Sequence, residues 1–127
     1  MEESKSYKSF TDLDVWKKAR TFKNELFQLT RSFPSSEKYR LEDQIIRSSR
    51  SIGSNIAEGY GRFTYKDQLH FCMQARGSLF ETINHLIDAL DCQFITEDIQ
   101  RKFNDQANDL EKLLNGYIAW LKTMVSK

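Results

Sequence analysis

Apolar residues recur along this chain at spacings of three and four, and four stretches carry that period. In the first, Val15, Ala19, Phe22, Leu26 and Leu29 make one stripe, with Leu13, Trp16 and Phe27 on a second edge about 100° away. The spacing predicts a helix from Thr11 to Thr30, with Thr11 as N-cap, Asp14 at the third position and Phe10 stapled to Val15. The second stretch, Ser36 to Glu58, places Leu41, Ile45, Ile52 and Ile56 on one stripe and Tyr39, Ile46, Gly53 and Ala57 on another. Its Ser48, Ser49, Gly53 and Ser54 are small enough for a neighbouring helix to come close. Pro34, Ser35 and Ser36 supply start signals, and Gly59 reads as the residue just past its end. The third stretch, Tyr65 to Asp91, is capped by Thr64 with Asp67 at the third position, and Arg76 projects from the middle of a wide apolar arc. The fourth, Glu97 to Thr123, is capped by Thr96 and carries a single stripe of Ile99, Phe103, Leu110, Leu114, Tyr117 and Leu121.

Short connections between such helices favour antiparallel neighbours. The expected fold is therefore all-α, an antiparallel up-down-up-down four-helix bundle. The 127 residues suit one domain, with an ordered core over residues 10–123. One proline and five glycines leave room for long helices and are too few for an all-β chain. The second and third helices offer more apolar or small surface than a monomer needs. With Trp16 and Phe27, that surplus points to self-association through an oligomer interface.

Met1–Phe10 lacks the apolar run of a secretory signal, and no stretch approaches the roughly 20 apolar residues of a membrane span. Cys72 and Cys92 fall on one predicted helix, about 30 Å apart at 1.5 Å per residue, too far for a disulfide. The expectation is a reduced, cytoplasmic chain without membrane contact. The net charge of +1 is small for a dedicated nucleic-acid binder, so any basic surface must be local.

Catalytic and metal chemistry find little support. Bundle di-iron sites use Glu-x-x-His pairs on facing helices, and no glutamate here has a histidine three residues on. His70 and His85 lie about 22 Å apart along one helix. Cys72 sits in an apolar arc and reads as core. Glu81 and His85 form an ordinary solvated pair. Gly59-Tyr60-Gly61 follows no strand and opens no helix directly, so it reads as a turn rather than a phosphate loop. No cofactor is expected. Two features remain: Arg47 and Arg50 on one helix face with Arg62 just beyond it, and Arg76 in apolar surroundings. A buried guanidinium needs an anionic partner, for which Glu58 and Glu81 are candidates.

The run Gln44-Ile-Ile-Arg-Ser-Ser-Arg-Ser-Ile-Gly-Ser-Asn-Ile-Ala-Glu-Gly-Tyr-Gly-Arg62 resembles the signature of the 23S rRNA intervening-sequence protein family. Asp12-Leu-Asp-Val-Trp16 with Ala19, Phe33-Pro34 with Glu37, and Ala75-Arg-Gly-Ser-Leu79 with Glu81 agree with it, so the resemblance spans Phe10 to Leu121. It implies an antiparallel four-helix bundle assembled as a homopentameric ring. The family takes its name from members encoded inside intervening sequences of 23S rRNA genes. Its fold is similar to the accessory protein of diversity-generating retroelements, a pentamer that binds nucleic acid and a reverse transcriptase. No enzymatic activity is implied. The expected function is thus a non-enzymatic homo-oligomer that binds RNA or a ribonucleoprotein through Arg47, Arg50 and Arg62, with Arg76 structural. The alternative is a protein-interaction scaffold in which the same arginines form inter-subunit ion pairs and no nucleic acid binds.

Overall fold

The computed structural model describes residues 9–127. The expectation that Met1–Phe10 is no secretory signal lies, but for Ser9 and Phe10, outside them. Four helices dominate: α1 over Asp14–Thr30, α2 over Leu41–Tyr60, α3 over Tyr65–Asp91 and α4 over Glu97–Val125. Short 3-10 turns at Phe10–Asp12 and Ser35–Glu37 lead into α1 and α2. The result is the expected all-α bundle with successive helices antiparallel.

Caps decide where the helices begin. Thr64 Oγ1 accepts from the Asp67 N–H at 3.1 Å, and Thr96 Oγ1 accepts from the Ile99 N–H at 3.2 Å. Each satisfies a backbone donor that the first helical turn leaves unpaired. So α3 and α4 start where the pattern predicts, and α4 continues past Thr123 to Val125. The first two helices start later than expected. Ser9, not Thr11, is the first cap, its hydroxyl accepting from the Thr11 N–H at 3.2 Å to hold a 3-10 turn. Leu13 is then extended (φ −71°, ψ 127°) and buries its side chain in the core, which delays α1 to Asp14. The Phe10 ring lies edge-on to Trp16, centroids 5.2 Å apart, where a staple to Val15 was expected.

At the second start, Phe33 turns inward and its ring meets Phe94 at 5.6 Å. The chain makes one 3-10 turn and breaks at Arg40 (φ −120°, ψ −111°), so α2 begins at Leu41 rather than Ser36. Tyr39 precedes the helix and is 85% exposed, off the stripe the pattern assigned it. Gly59 is an interior residue of α2, and Gly61 follows the helix end.

The α2–α3 interface is close because its residues are small. The Ser48 and Thr82 hydroxyls are 2.8 Å apart, and Ser78 Oγ donates to Ser51 Oγ at 3.0 Å. At Gly59 an added Cβ would lie 3.0 Å from Phe71 Cβ and 3.2 Å from the Gln68 carbonyl oxygen. Around this contact Leu26, Ile45, Ile52, Leu79, Leu110, Leu114 and Leu121 are fully buried, each burial worth about 1.5–3 kcal/mol. The α1–α4 pair relies more on polar bridges: Lys18 to Asp109 at 3.9 Å, Lys102 to Glu25 at 3.8 Å, and Gln106 Nε2 donating to Glu25 at 3.2 Å. Among the described residues no helix is long and apolar enough to cross a membrane.

An added Cβ would be crowded at Gly59, against Phe71 Cβ at 3.0 Å, and would meet nothing within 4 Å at Gly116. Gly59→Ala should lower stability by about 1–3 kcal/mol. Gly116→Ala should raise it by about 0.5–1 kcal/mol through helix propensity. Thermal denaturation of the two variants checks both signs.

Candidate nucleic-acid interface

On α1, Trp16, Arg20 and Lys23 recur at helical spacing and face α2. Opposite them, α2 presents Arg50, Gly53, Ser54 and Ala57, whose small members leave a channel between the helices. With Phe10 these residues line a groove of about 310 Å³. Trp16 lies across α2 at Gly53, where an added Cβ would sit 3.5 Å from the indole Nε1. The Arg20 guanidinium stands over the indole, 5.8 Å from its centroid. Further along, Phe27 has guanidinium groups from Arg50 at 5.7 Å and Arg31 at 5.9 Å.

This face therefore alternates aromatic rings with cations. Among the described residues no carboxylate lines the groove. Among the described residues, Arg20, Lys23, Arg31 and Arg50 form no ion pair. Unpaired cations around a concave surface concentrate positive potential there, even at a net charge of +1. Rings beside such cations can stack bases while the cations take phosphates.

A larger groove between α1 and α4, about 660 Å³, has a different character. It is lined by Thr21, Asn24, Glu25, Gln28, Leu29, Ile99, Lys102 and Phe103, and its two charged residues, Lys102 and Glu25, pair with each other. It offers no unopposed charge.

The three arginines singled out from the sequence are not gathered at one point. Arg50 enters the α1–α2 groove. Arg47, with its side chain 80% exposed, reaches Asp43 at 3.7 Å. Arg62 pairs with Glu58 at 2.7 Å and lies over Phe71, 4.7 Å from the ring centroid, against α3. Arg76 is not deeply buried and takes neither Glu58 nor Glu81 as partner. Its Nε donates to Asn115 Oδ1 at 3.0 Å, its Nη2 is 3.9 Å from Glu111, and it covers Phe80 at 4.8 Å, so within the chain it links α3 to α4. With the Arg76 side chain 40% exposed, its pairing with Glu111 contributes at most about 1 kcal/mol. Glu81 instead contacts His85 Nε2 at 3.3 Å, while His85 Nδ1 is buried without a hydrogen-bond partner. Trp16 is engaged within the chain, and Phe27 is 36% exposed.

Arg20 and Lys23, which are not among the candidates the sequence offers, join a site only where α1 meets α2. Their signal is the Trp16–Arg20–Lys23 spacing, which puts a ring and two cations on one face of α1. For metal chemistry, no three His, Cys, Asp or Glu side chains among the described residues come together. Burial pushes the Cys72 thiol up to about 12, so at neutral pH it is a protonated core residue and no nucleophile.

Comparison with known proteins fits this picture of the fold. A family model described as 23S rRNA-intervening sequence protein matches residues 11–116. A solved structure similar to this chain is that of a protein with unknown function from the S23 ribosomal protein family of Bacteroides thetaiotaomicron VPI-5482. It is 25% identical, with a TM-score of 0.77 over 83% of this chain and 95% of that one. No curated protein matches this chain.

The two thiols should differ sharply in reactivity. Cys92 is exposed and Cys72 buried, so a thiol reagent at pH 8 should label Cys92 rapidly and Cys72 only on unfolding. The raised Cys72 value also gives a sign. Its stabilising contribution is complete below the unfolded value near 9 and is lost as pH rises from there toward 12. Labelling kinetics with and without denaturant, read by mass spectrometry, check the assignment.

Proposed function

Because the chain belongs to the 23S rRNA-intervening sequence protein family, we propose that it is a non-enzymatic, homo-oligomeric bundle that binds RNA, free or in a ribonucleoprotein, through the α1–α2 face. The observation that carries this reading is that, among the described residues, Arg20, Lys23 and Arg50 are unpaired cations around a groove that holds two aromatic rings and no carboxylate. A cationic surface that served only the fold would be expected to have its charges answered within the chain, as Glu25 answers Lys102. Arg47 and Arg31 extend the face beyond the groove. Arg62, held by Glu58, lies outside it. Such a protein would act in the cytoplasm, where RNA is present.

Self-association has its own support on α3. Met73, Phe80 and Ile87 repeat every seven residues and are each more than 40% exposed. Gly77 lies on the same face with open space beside it, so a helix of another copy could approach closely. The stoichiometry we propose is five, on the strength of the family resemblance.

A second reading has one observation in its favour. Between Glu81 and Glu111 there are eight acidic residues and only two basic ones, Arg101 and Lys102. Such a surface could answer the α1–α2 cations of a neighbouring copy in a head-to-tail ring. Under this reading the arginines join subunits and no RNA binds.

RNA affinity measured against salt separates the two. Three groove cations on phosphates predict a log–log slope of about −2 to −3, and Arg50→Ala should reduce its magnitude by about 0.7–0.9. An affinity unchanged by salt, or no binding at low salt, contradicts the RNA reading. Loss of oligomer mass in Arg50→Ala, without RNA binding in the parent, establishes the scaffold instead. Separately, Phe80→Asp should keep its helix content and sediment as a smaller species than the parent. An unchanged sedimentation coefficient would remove α3 from the interface.

A further inference from the structure

We infer that the α1–α2 groove selects single-stranded RNA over duplex, with one unstacked base held beside Trp16 and the adjoining phosphates on Arg20, Lys23 and Arg50. This deepens the RNA reading above and rests on it.

The first observation is Gly53. It lies in the interior of α2, where glycine is disfavoured relative to alanine. An added Cβ would meet Trp16 Nε1 at 3.5 Å, Trp16 Cδ1 at 3.7 Å and Ala19 Cβ at 3.9 Å, all ordinary contacts. Packing within the chain therefore does not demand glycine here, in contrast to Gly59, whose Cβ would be 3.0 Å from Phe71. What the missing Cβ does at Gly53 is deepen the groove along the edge of the indole.

The second observation is the chemistry of that edge. Trp16 Nε1 makes no hydrogen bond among the described residues, so the groove floor carries a free N–H donor. Beside it stand two surfaces that stack on bases, the indole and the Arg20 guanidinium 5.8 Å from the indole centroid. The Ser54 hydroxyl, exposed at the rim, adds a second donor and acceptor.

Size completes the case. The groove between α1 and α2 is an open cleft of about 310 Å³. A base freed from its strand can turn its edge or its face toward this cleft. A duplex keeps its bases paired and stacked and can offer the rim only phosphates and sugars, which forfeits the floor. Base–aromatic stacking has a sequence-tolerant strength equivalent to roughly five- to a hundredfold in affinity, so the preference is for strandedness rather than sequence.

The test uses the full chain and one short labelled RNA of mixed sequence, alone and annealed to its complement, at fixed low salt. The single strand should bind about tenfold tighter than the duplex. Gly53→Ala should fold with unchanged or raised melting temperature, lose about fivefold in single-strand affinity and leave duplex affinity unchanged. Arg50→Ala should weaken both. Equal affinities for the two forms, or a Gly53→Ala variant that binds the single strand like the parent, overturn the base-reading site while leaving phosphate binding on this face intact. No binding of either form overturns the RNA reading itself.

Discussion

The bundle is organised by how little side chain α2 carries on two of its faces. Toward α3, Ser48, Ser51 and Gly59 let the helices meet at hydroxyl-to-hydroxyl distance, 2.8 Å at Ser48–Thr82 and 3.0 Å at Ser51–Ser78. The buried hydroxyls, those of Ser48 and Thr82, are satisfied across the interface and by backbone carbonyls, Thr82 donating to the Ser78 oxygen at 2.8 Å. A buried hydroxyl without a partner is costly, so the pairs fix the register of the two helices as well as their distance. Toward α1, Gly53, Ser54 and Ala57 leave the channel that Trp16 and the cations border. Two separate sets of small residues on α2 thus set the close approach of α3 and the open space beside α1.

Charge follows the same geometry. The net value of +1 conceals a separation between a cationic α1–α2 face and an acidic segment from Glu81 to Glu111. Ion pairs in the described chain join residues three or four apart in sequence, or α4 to α1 and α3, as with Arg62–Glu58, Lys102–Glu25 and Arg76–Glu111. Arg20, Lys23, Arg31 and Arg50 stand apart from these pairings. Their unbalanced field is the property that a polyanion, or an acidic surface on another copy, would meet first.

Much of this was legible in the residues. Threonine caps and a long unbroken period marked α3 and the start of α4, because both signals are local. The starts of α1 and α2 were not legible, because Leu13 and Phe33 turn into the core before their helices begin. That is a tertiary preference which no cap reports. The arginines singled out in the sequence part company in the fold. Arg50 belongs to the groove, whereas Arg62 answers Glu58 and Arg76 answers residues on α4. Reading one helix at a time could not show that Arg20 and Lys23 of α1 face Arg50, nor that Glu111 and Asn115 lie within reach of Arg76. Such pairings arise only when helices distant in sequence come together.

The chain's two tryptophans allow the most direct test of the central claim, that RNA enters between α1 and α2. Trp16 borders the groove, while Trp120 packs with Tyr65 and Tyr117 on the α3–α4 side. Each gives one indole N–H resonance, assignable by single Trp→Phe replacements, and the measurement is an NMR titration of the labelled protein with single-stranded RNA. The account predicts that the Trp16 signal shifts or broadens in proportion to bound RNA while Trp120 stays in place. RNA that binds and moves Trp120 alone, or neither signal, would contradict it.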